Sequence, residues 1–225
     1  MSVVGIDGCR KGWLAVELSG DGLQTAHFLD HIALVADAAP RAEVVAVDIP
    51  IGFGRRYPRR ADVEARAQLT GQASSVFMTP PRRVLAASTH AEANRIAREV
   101  LGQGISRQVY GLRQKIFEVD AWLDDAGATV VEVHPELAFR AMLGRPARAS
   151  KKTWVGTVDR RAALGAAGID VDRLDVPIES AAGVDDVLDA AAASWSARRV
   201  AAGTAISLPA GSAPGAGRRR PAIWY

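Results

Sequence analysis

The chain has 225 residues, 48% of them apolar, and a formal charge of +3, enough apolar material to core one large domain or two small ones. No apolar run approaches the roughly 20 residues that span a bilayer, and the opening residues lack the charged-then-apolar pattern of a secretory leader. A cytoplasmic protein with no membrane partner is therefore expected, and the lone Cys9 excludes an internal disulfide or a cysteine-based zinc site.

Ser2 to Leu18 reads as strand, turn, strand. An apolar run delivers one carboxylate, Asp7, to the glycine-bearing turn Gly8-Cys9-Arg10-Lys11-Gly12, and a second apolar run returns from Trp13. Asp and Gly are ordinary turn residues, so Asp7 alone has a purely conformational explanation. Gln24 to Leu29 predicts a third strand, and Asp30 is placed to cap a helix from His31 to about Ala39, where Pro40 stops it. Glu43 to Val47 predicts a fourth strand, apolar enough to be buried on both faces. It delivers a second isolated carboxylate, Asp48, to the point where Pro50 and Gly52 end the ladder, and strand ends of this kind are where sites assemble in open α/β sheets.

From Gly52 to Asp125 the strand pattern lapses. Arg55, Arg56, Arg59 and Arg60 precede a short helix over about Asp62 to Leu69, and Ser74 to Arg83 is a proline-bearing loop. Helices are expected over His90 to Leu101 and Ser106 to Leu123, so residues 53–125 read as a mainly helical insertion in a single domain spanning 1–225. Thr129 to Val133 restores a strand, and Glu132, His134 and Glu136 follow one another around its end. Glu132 is the preferred candidate to add a carboxylate, since one histidine without a partner at matched spacing is a weak metal signal.

A helix is expected over Asp159 to Gly168 and a loop over Asp170 to Ser180. The last long helix opens at Asp185, and Asp186 and Asp189 share a face of it. First-turn aspartates offset the helix dipole; Asp189, set among Leu188 and the alanines from Ala190, is poorly explained that way. Ala205 to Leu208 suits an edge strand. Residues 209–225 read as a tail, with Arg218, Arg219 and Arg220, whose end Ile223-Trp224-Tyr225 is apolar enough to dock back onto the domain.

Carboxylates converging from two strands and a late helix repel one another and need a cation, and hard oxygen ligands suit Mg2+ or Mn2+. Such ions activate water for phosphodiester cleavage without a protein nucleophile. The 24 arginines against 4 lysines suit phosphate contact, although a GC-rich coding sequence gives the same bias. Arg10, Lys11, Arg82 and Lys151 are the candidates for that contact.

The stretches GIDGCRKGW, VDIPIG, SSVFMTPPR, EVHPELAF and DDVLDA together resemble the domain of unknown function 429 family, described as predicted nucleases of the ribonuclease H-like fold. The resemblance runs from Val3 to Tyr225. It implies an α/β fold with a mixed sheet, an antiparallel hairpin beside parallel strands, flanked by helices. It also implies a metal-dependent nuclease acting on nucleic acid, with Asp7, Asp48 and Asp189 as metal ligands, Asp186 beside them and Glu132 as a further catalytic carboxylate. The glutamate that the ribonuclease H pattern supplies from its first helix has no counterpart here, where that helix offers only Asp37, which leaves open one metal or two. Two other readings compete: a non-catalytic nucleic-acid or partner-binding module on the same fold, and an actin- or sugar-kinase-like ATP-binding phosphotransferase. Against the latter, a single chain of this length carries no second glycine-rich phosphate turn. Neither the kind of nucleic acid nor the oligomeric state leaves a mark on the sequence.

Overall fold

The computed structural model describes residues 2–215 and 219–225. Strands β1 (Ser2–Gly8), β2 (Trp13–Ser19) and β3 (Gln24–Leu29) form an antiparallel meander. A 3-10 turn over Ile32–Leu34 and the short helix α1 (Val35–Ala38) lead to β4 (Ala42–Val47), which lies parallel to β1. Then come α2 (Arg60–Gln68), α3 (Arg82–Leu85), α4 (His90–Leu101), α5 (Arg107–Gly111) and α6 (Arg113–Trp122). Strand β5 (Thr129–Val133) pairs parallel with β4 and is followed by α7 (Pro135–Leu143), α8 (Trp154–Ala166) and α9 (Val184–Ala201). The short strands β6 (Ser207–Leu208) and β7 (Ile223–Trp224) complete a sheet in the order β3-β2-β1-β4-β5-β7-β6 among the described residues. This is the mixed, helix-flanked sheet expected of the ribonuclease H-like fold.

Several boundaries differ from the sequence reading. The first helix is shorter than expected, and Asp30 does not cap it; the Glu118 carboxylate, from α6, accepts the Ile32 N–H at 2.6 Å instead. The helix expected over Ser106 to Leu123 breaks at Leu112, next to Gly111. Helix α8 begins at Trp154, earlier than expected, because the Thr153 hydroxyl accepts the Gly156 N–H and caps it. At the chain's far end Ile223 and Trp224 pair with Glu132 and Val133. Arg219 is bound to Asp120 and Asp124 of the α6 end, while Arg218 lies outside the described residues.

Side chains alternate across the sheet, and this parity decides which acids can meet. Val3, Leu14, Val16, Val44, Ala46, Val131 and Val133 pack against α7, α8 and α9 on one face. Val4, Ile6, Trp13, Ala15, Val45 and Val47 pack against the first helix and α6 on the other. Asp7 is in step with Val3, and Asp48 with Val44 and Ala46, so both aim at the α9 face. Glu132 is out of step with Val131 and Val133.

Candidate functional site

Asp7 and Asp48 stand side by side. β1 and β4 run parallel with Ile6 opposite Val47, and the Asp48 N–H extends the ladder to the Ile6 carbonyl at 2.9 Å. Both acids line a pocket of about 260 Å3 with Lys115, Glu132, His134 and Lys151. The Asp7 carboxylate is oriented by the Gly8 N–H at 2.8 Å. Asp189 arrives from α9, which lies against β1 at backbone contact distance. A Cβ on Gly5 would fall 1.9 Å from the Ser194 nitrogen and 2.4 Å from the Ala190 carbonyl oxygen. The Ser194 hydroxyl locks this contact by donating to the Val16 carbonyl at 2.9 Å. Gly5 and the alanine run of α9 thus bring the helix close enough for its acid to face those of the strands.

Burial is the largest influence on all three carboxyls. Asp7 is held well above the usual carboxylate range by burial, then by Asp48 and Asp189. Burial and Asp189 push Asp48 up to about 8. Burial raises Asp189 to about 6 even though Lys151 opposes the shift. The Lys151 ammonium is bound to Oδ2 of Asp189. Burial disfavours its charge, but Asp189, Asp48 and Asp7 outweigh that and hold its pKa above the ordinary lysine value. The other oxygen of Asp189, Oδ1, is buried without a hydrogen-bond partner.

The family model described as a protein of unknown function, DUF429, matches residues 5–213. The chain belongs to the DUF429 family. A solved structure of RuvC from Thermus thermophilus is similar to this DUF429 protein at 18% identity, covering 91% of this chain and 98% of that one, with a TM-score of 0.36. The fold assignment rests on the strand order and register described above. Among curated proteins none matches this chain.

The remaining predicted site residues of the DUF429 chain take other positions. Glu132 touches the pocket, but its carboxylate is spent: Arg59 donates to both oxygens at 2.7 and 3.0 Å, and the Ile51 N–H reaches Oε2 at 2.7 Å. Burial still lifts it to about 7 against the pull of Arg59. Asp186 is half-buried and accepts the Gly183 N–H at 2.8 Å, a helix-start role. Arg10 and Lys11 are exposed on the turn after Asp7. Arg82 pairs with Asp120 and lies 4.7 Å over the Phe53 ring, lining a different pocket with Arg55, Arg56 and Arg83. Lys151, expected to meet phosphate, meets Asp189.

Two pocket groups escaped the sequence reading. Lys115 donates to the Gly12 carbonyl and sits 4.0 Å over the buried Trp13 ring; burial lowers its pKa. Nothing in its stretch marks it, since its helical neighbours are read for their apolar spacing. Arg59 was visible only as one of four arginines. Asp62, three residues on, is the signal that separates it from the others, because Arg59 binds that carboxylate as well. His134 keeps Nε2 3.3 Å from the Ser75 carbonyl, and burial pushes its pKa down, so it is neutral near pH 7.

Proposed function

We infer that this DUF429 protein is a divalent-metal-dependent nuclease that hydrolyses phosphodiester bonds of a nucleic acid. The observation that supports this reading is the pairing of Asp7 and Asp48 at adjacent strand ends in one pocket, with Asp189 of α9 near enough to raise the proton affinity of both. Like charges crowded away from water are costly unless a cation joins them. A fold that brings them together along backbone-close contacts is using them for more than stability.

The donor set fits a hard divalent ion. It is all carboxylate oxygen, and Asp189 Oδ1 is a buried acceptor with nothing to accept from. Among the described residues no group of three or more His, Cys, Asp or Glu side chains is arranged so that it could hold a metal ion; the cation that Asp189 faces is Lys151. On this reading Asp7, Asp48 and Asp189 would hold Mg2+ or Mn2+, which supplies Lewis-acid polarisation of the phosphoryl oxygen and a lowered water pKa.

The chain's own groups do the rest. The Gly8 N–H keeps Asp7 aimed at the pocket. Arg10 and Lys11, exposed on the adjoining turn, meet the phosphate backbone, a contact that positions substrate without reading its sequence. Neutral His134 lines the wall, with Nε2 against the Ser75 carbonyl. The lone buried Cys9 is at home in a reducing cytoplasm. Among the described residues no helix is long and apolar enough to cross a membrane.

The test is a panel of single-stranded, duplex, hybrid and branched DNA and RNA, incubated with the protein and Mg2+ or Mn2+ beside Asp7→Asn. Cleavage of any member by the wild type, lost with EDTA and in the variant, is the expected result. Salt-sensitive binding without cleavage by the folded wild type would replace the nuclease with a binding module.

A further inference from the structure

We propose that an arginine-lined cleft beside the carboxylate pocket is a track for single-stranded nucleic acid, held there by phosphate contacts and base stacking and led toward Asp7 and Asp48. The inference rests on the nucleic-acid reading above and names the kind of strand; it requires no metal.

Two cavities of about 540 Å3 each meet at Phe53, Gly54 and Arg55. Arg56, Arg82 and Arg83 line one, Arg219 and Arg220 the other, and among the described residues no acid lines either. The two halves are tied together underneath. Asp120 is buried, and while one of its carboxylate oxygens binds Arg82, the other accepts from Arg219 at 3.0 Å. A Cβ on Gly52 would fall 2.0 Å from the Arg219 carbonyl oxygen, so the loop that carries Phe53 touches the Arg219 backbone directly. Arg55, Arg56, Arg83 and Arg220 are exposed and make no ion pair among the described residues.

Unpaired guanidinium groups fork onto phosphate oxygens, which any nucleic acid offers. Arg82 narrows the choice. Its guanidinium lies 4.7 Å from the centre of the Phe53 ring and 5.3 Å from that of Phe117, yet the side chain is 54% exposed. A flat cation is thus pinned on two rings with its outer face open, and half-buried Tyr57 adds a further ring to the same cavity. Bases splayed from a single strand stack on such planes, whereas the bases of a duplex are already stacked on one another.

The track has a destination, because two loops line both the cleft and the carboxylate pocket. Asp48, Pro50 and Thr79 face the pocket; Phe53 and Pro81, next along the same loops, face the cleft. Three residues of chain reach at most roughly 11 Å, so Phe53 lies within that distance of Pro50, and Pro81 is closer still to Thr79.

The experiment is fluorescence anisotropy of a labelled single-stranded oligonucleotide and its duplex in EDTA, so that nothing is cleaved, over a range of salt concentrations. Wild type should bind the single strand more tightly. A variant carrying Arg55→Gln, Arg56→Gln and Arg83→Gln should lose about thirtyfold or more, and its slope of log affinity against log salt should shrink by about 2, at roughly 0.7 per phosphate contact. Arg82→Lys keeps the charge without the plane, and should lose about tenfold with the slope unchanged. A control with Arg41, Arg66 and Arg173 changed to Gln removes the same net charge away from both cavities and should lose less than about threefold. Equal losses in the two triple variants, preference for the duplex, or no binding by the wild type overturns the proposal. Should the first triple variant fail to fold, photocrosslinking of the wild type to an iodouracil-bearing single strand decides: adducts on Phe53 or Tyr57 support the track, and adducts only elsewhere overturn it. Cleavage in the metal-dependent panel without this binding pattern keeps the nuclease reading and removes the track; this pattern without cleavage keeps the track and removes the nuclease.

Discussion

Glu132 and Arg59 meet in a two-point ion pair, Nη2 to Oε1 at 2.7 Å and Nη1 to Oε2 at 3.0 Å, with both side chains sealed from solvent. The same guanidinium binds Asp62 of α2 and the Ile51 and Gly52 carbonyls, and Asp62 in turn accepts the Thr79 N–H at 2.8 Å. One arginine therefore fastens β5, the loop after β4 and the first helix beyond it. Removing one partner leaves a buried charge alone, so Arg59→Met should cost about 3–5 kcal/mol, read by urea denaturation. Glu132→Gln should be destabilising in the same direction yet keep metal-dependent turnover within about tenfold below its melting point, since Glu132 acts on Arg59 and not on the reacting atoms. Complete loss of turnover in a folded Glu132→Gln would return Glu132 to the catalytic set.

Asp48→Asn separates stability from activity. The substitution removes one of the mutually repelling carboxylates, so the metal-free protein should gain roughly 1 kcal/mol, the usual direction when a strained functional site is relaxed. Turnover should fall by more than about a hundredfold, beyond the roughly 10–100-fold lost with groups that only support a metal ligand. Melting curves and single-turnover cleavage on the same preparations check both halves; unchanged stability with full activity would remove Asp48 from the site.

The raised carboxyls set a pH dependence for the metal-free protein. The unfolded chain releases the Asp48 proton near pH 4, whereas the folded chain holds it until about 8 and that of Asp189 until about 6. Across that window the folded state binds more protons, so stability falls as pH rises from about 4 to about 8 and then levels off. Added Mn2+ should oppose the fall, with an apparent affinity that grows over the same window, because the ion needs ionised oxygens. Melting temperatures recorded across this range with and without Mn2+ test it, and parallel curves would contradict it.

Gly5→Ala probes the contact that carries Asp189. A methyl group 1.9 Å from the Ser194 nitrogen cannot be accommodated without moving α9 off β1. Overpacking of this kind costs about 1–3 kcal/mol or more. The loss in Mn2+ affinity should exceed what the fall in stability explains, because the helix moves with its acid; calorimetry at a temperature where the variant stays folded measures it.

Part of this was legible in the chain. Continuous apolar runs marked β1 and β4 and placed Asp7 and Asp48 at their ends, and the apolar surroundings of Asp189 are poorly explained by a first-turn role. Which face each acid takes follows from the strand geometry: alternation along β5 sets Glu132 opposite to Val131 and Val133, and proximity to a strand end was the weaker guide. Interactions that cross between elements left no local trace. Glu118 caps a turn some eighty residues before it, and Lys151 is an unremarkable loop lysine until α9 is folded against the sheet. The break at Leu112 was foreshadowed by Gly111, and the early start of α8 by Thr153, both outweighed by apolar spacing.

The approach of α9 to β1 also has a kinetic side. Asp7 and Asp189 are separated by almost the whole chain, so the cluster closes only through one of the longest loops the fold contains, a contact that is entropically slow to make. A partly folded molecule can possess the meander, and even the Asp7–Asp48 pair, without possessing the pocket. Competence arrives late and all together, when the last long helix seats on the glycine of the first strand.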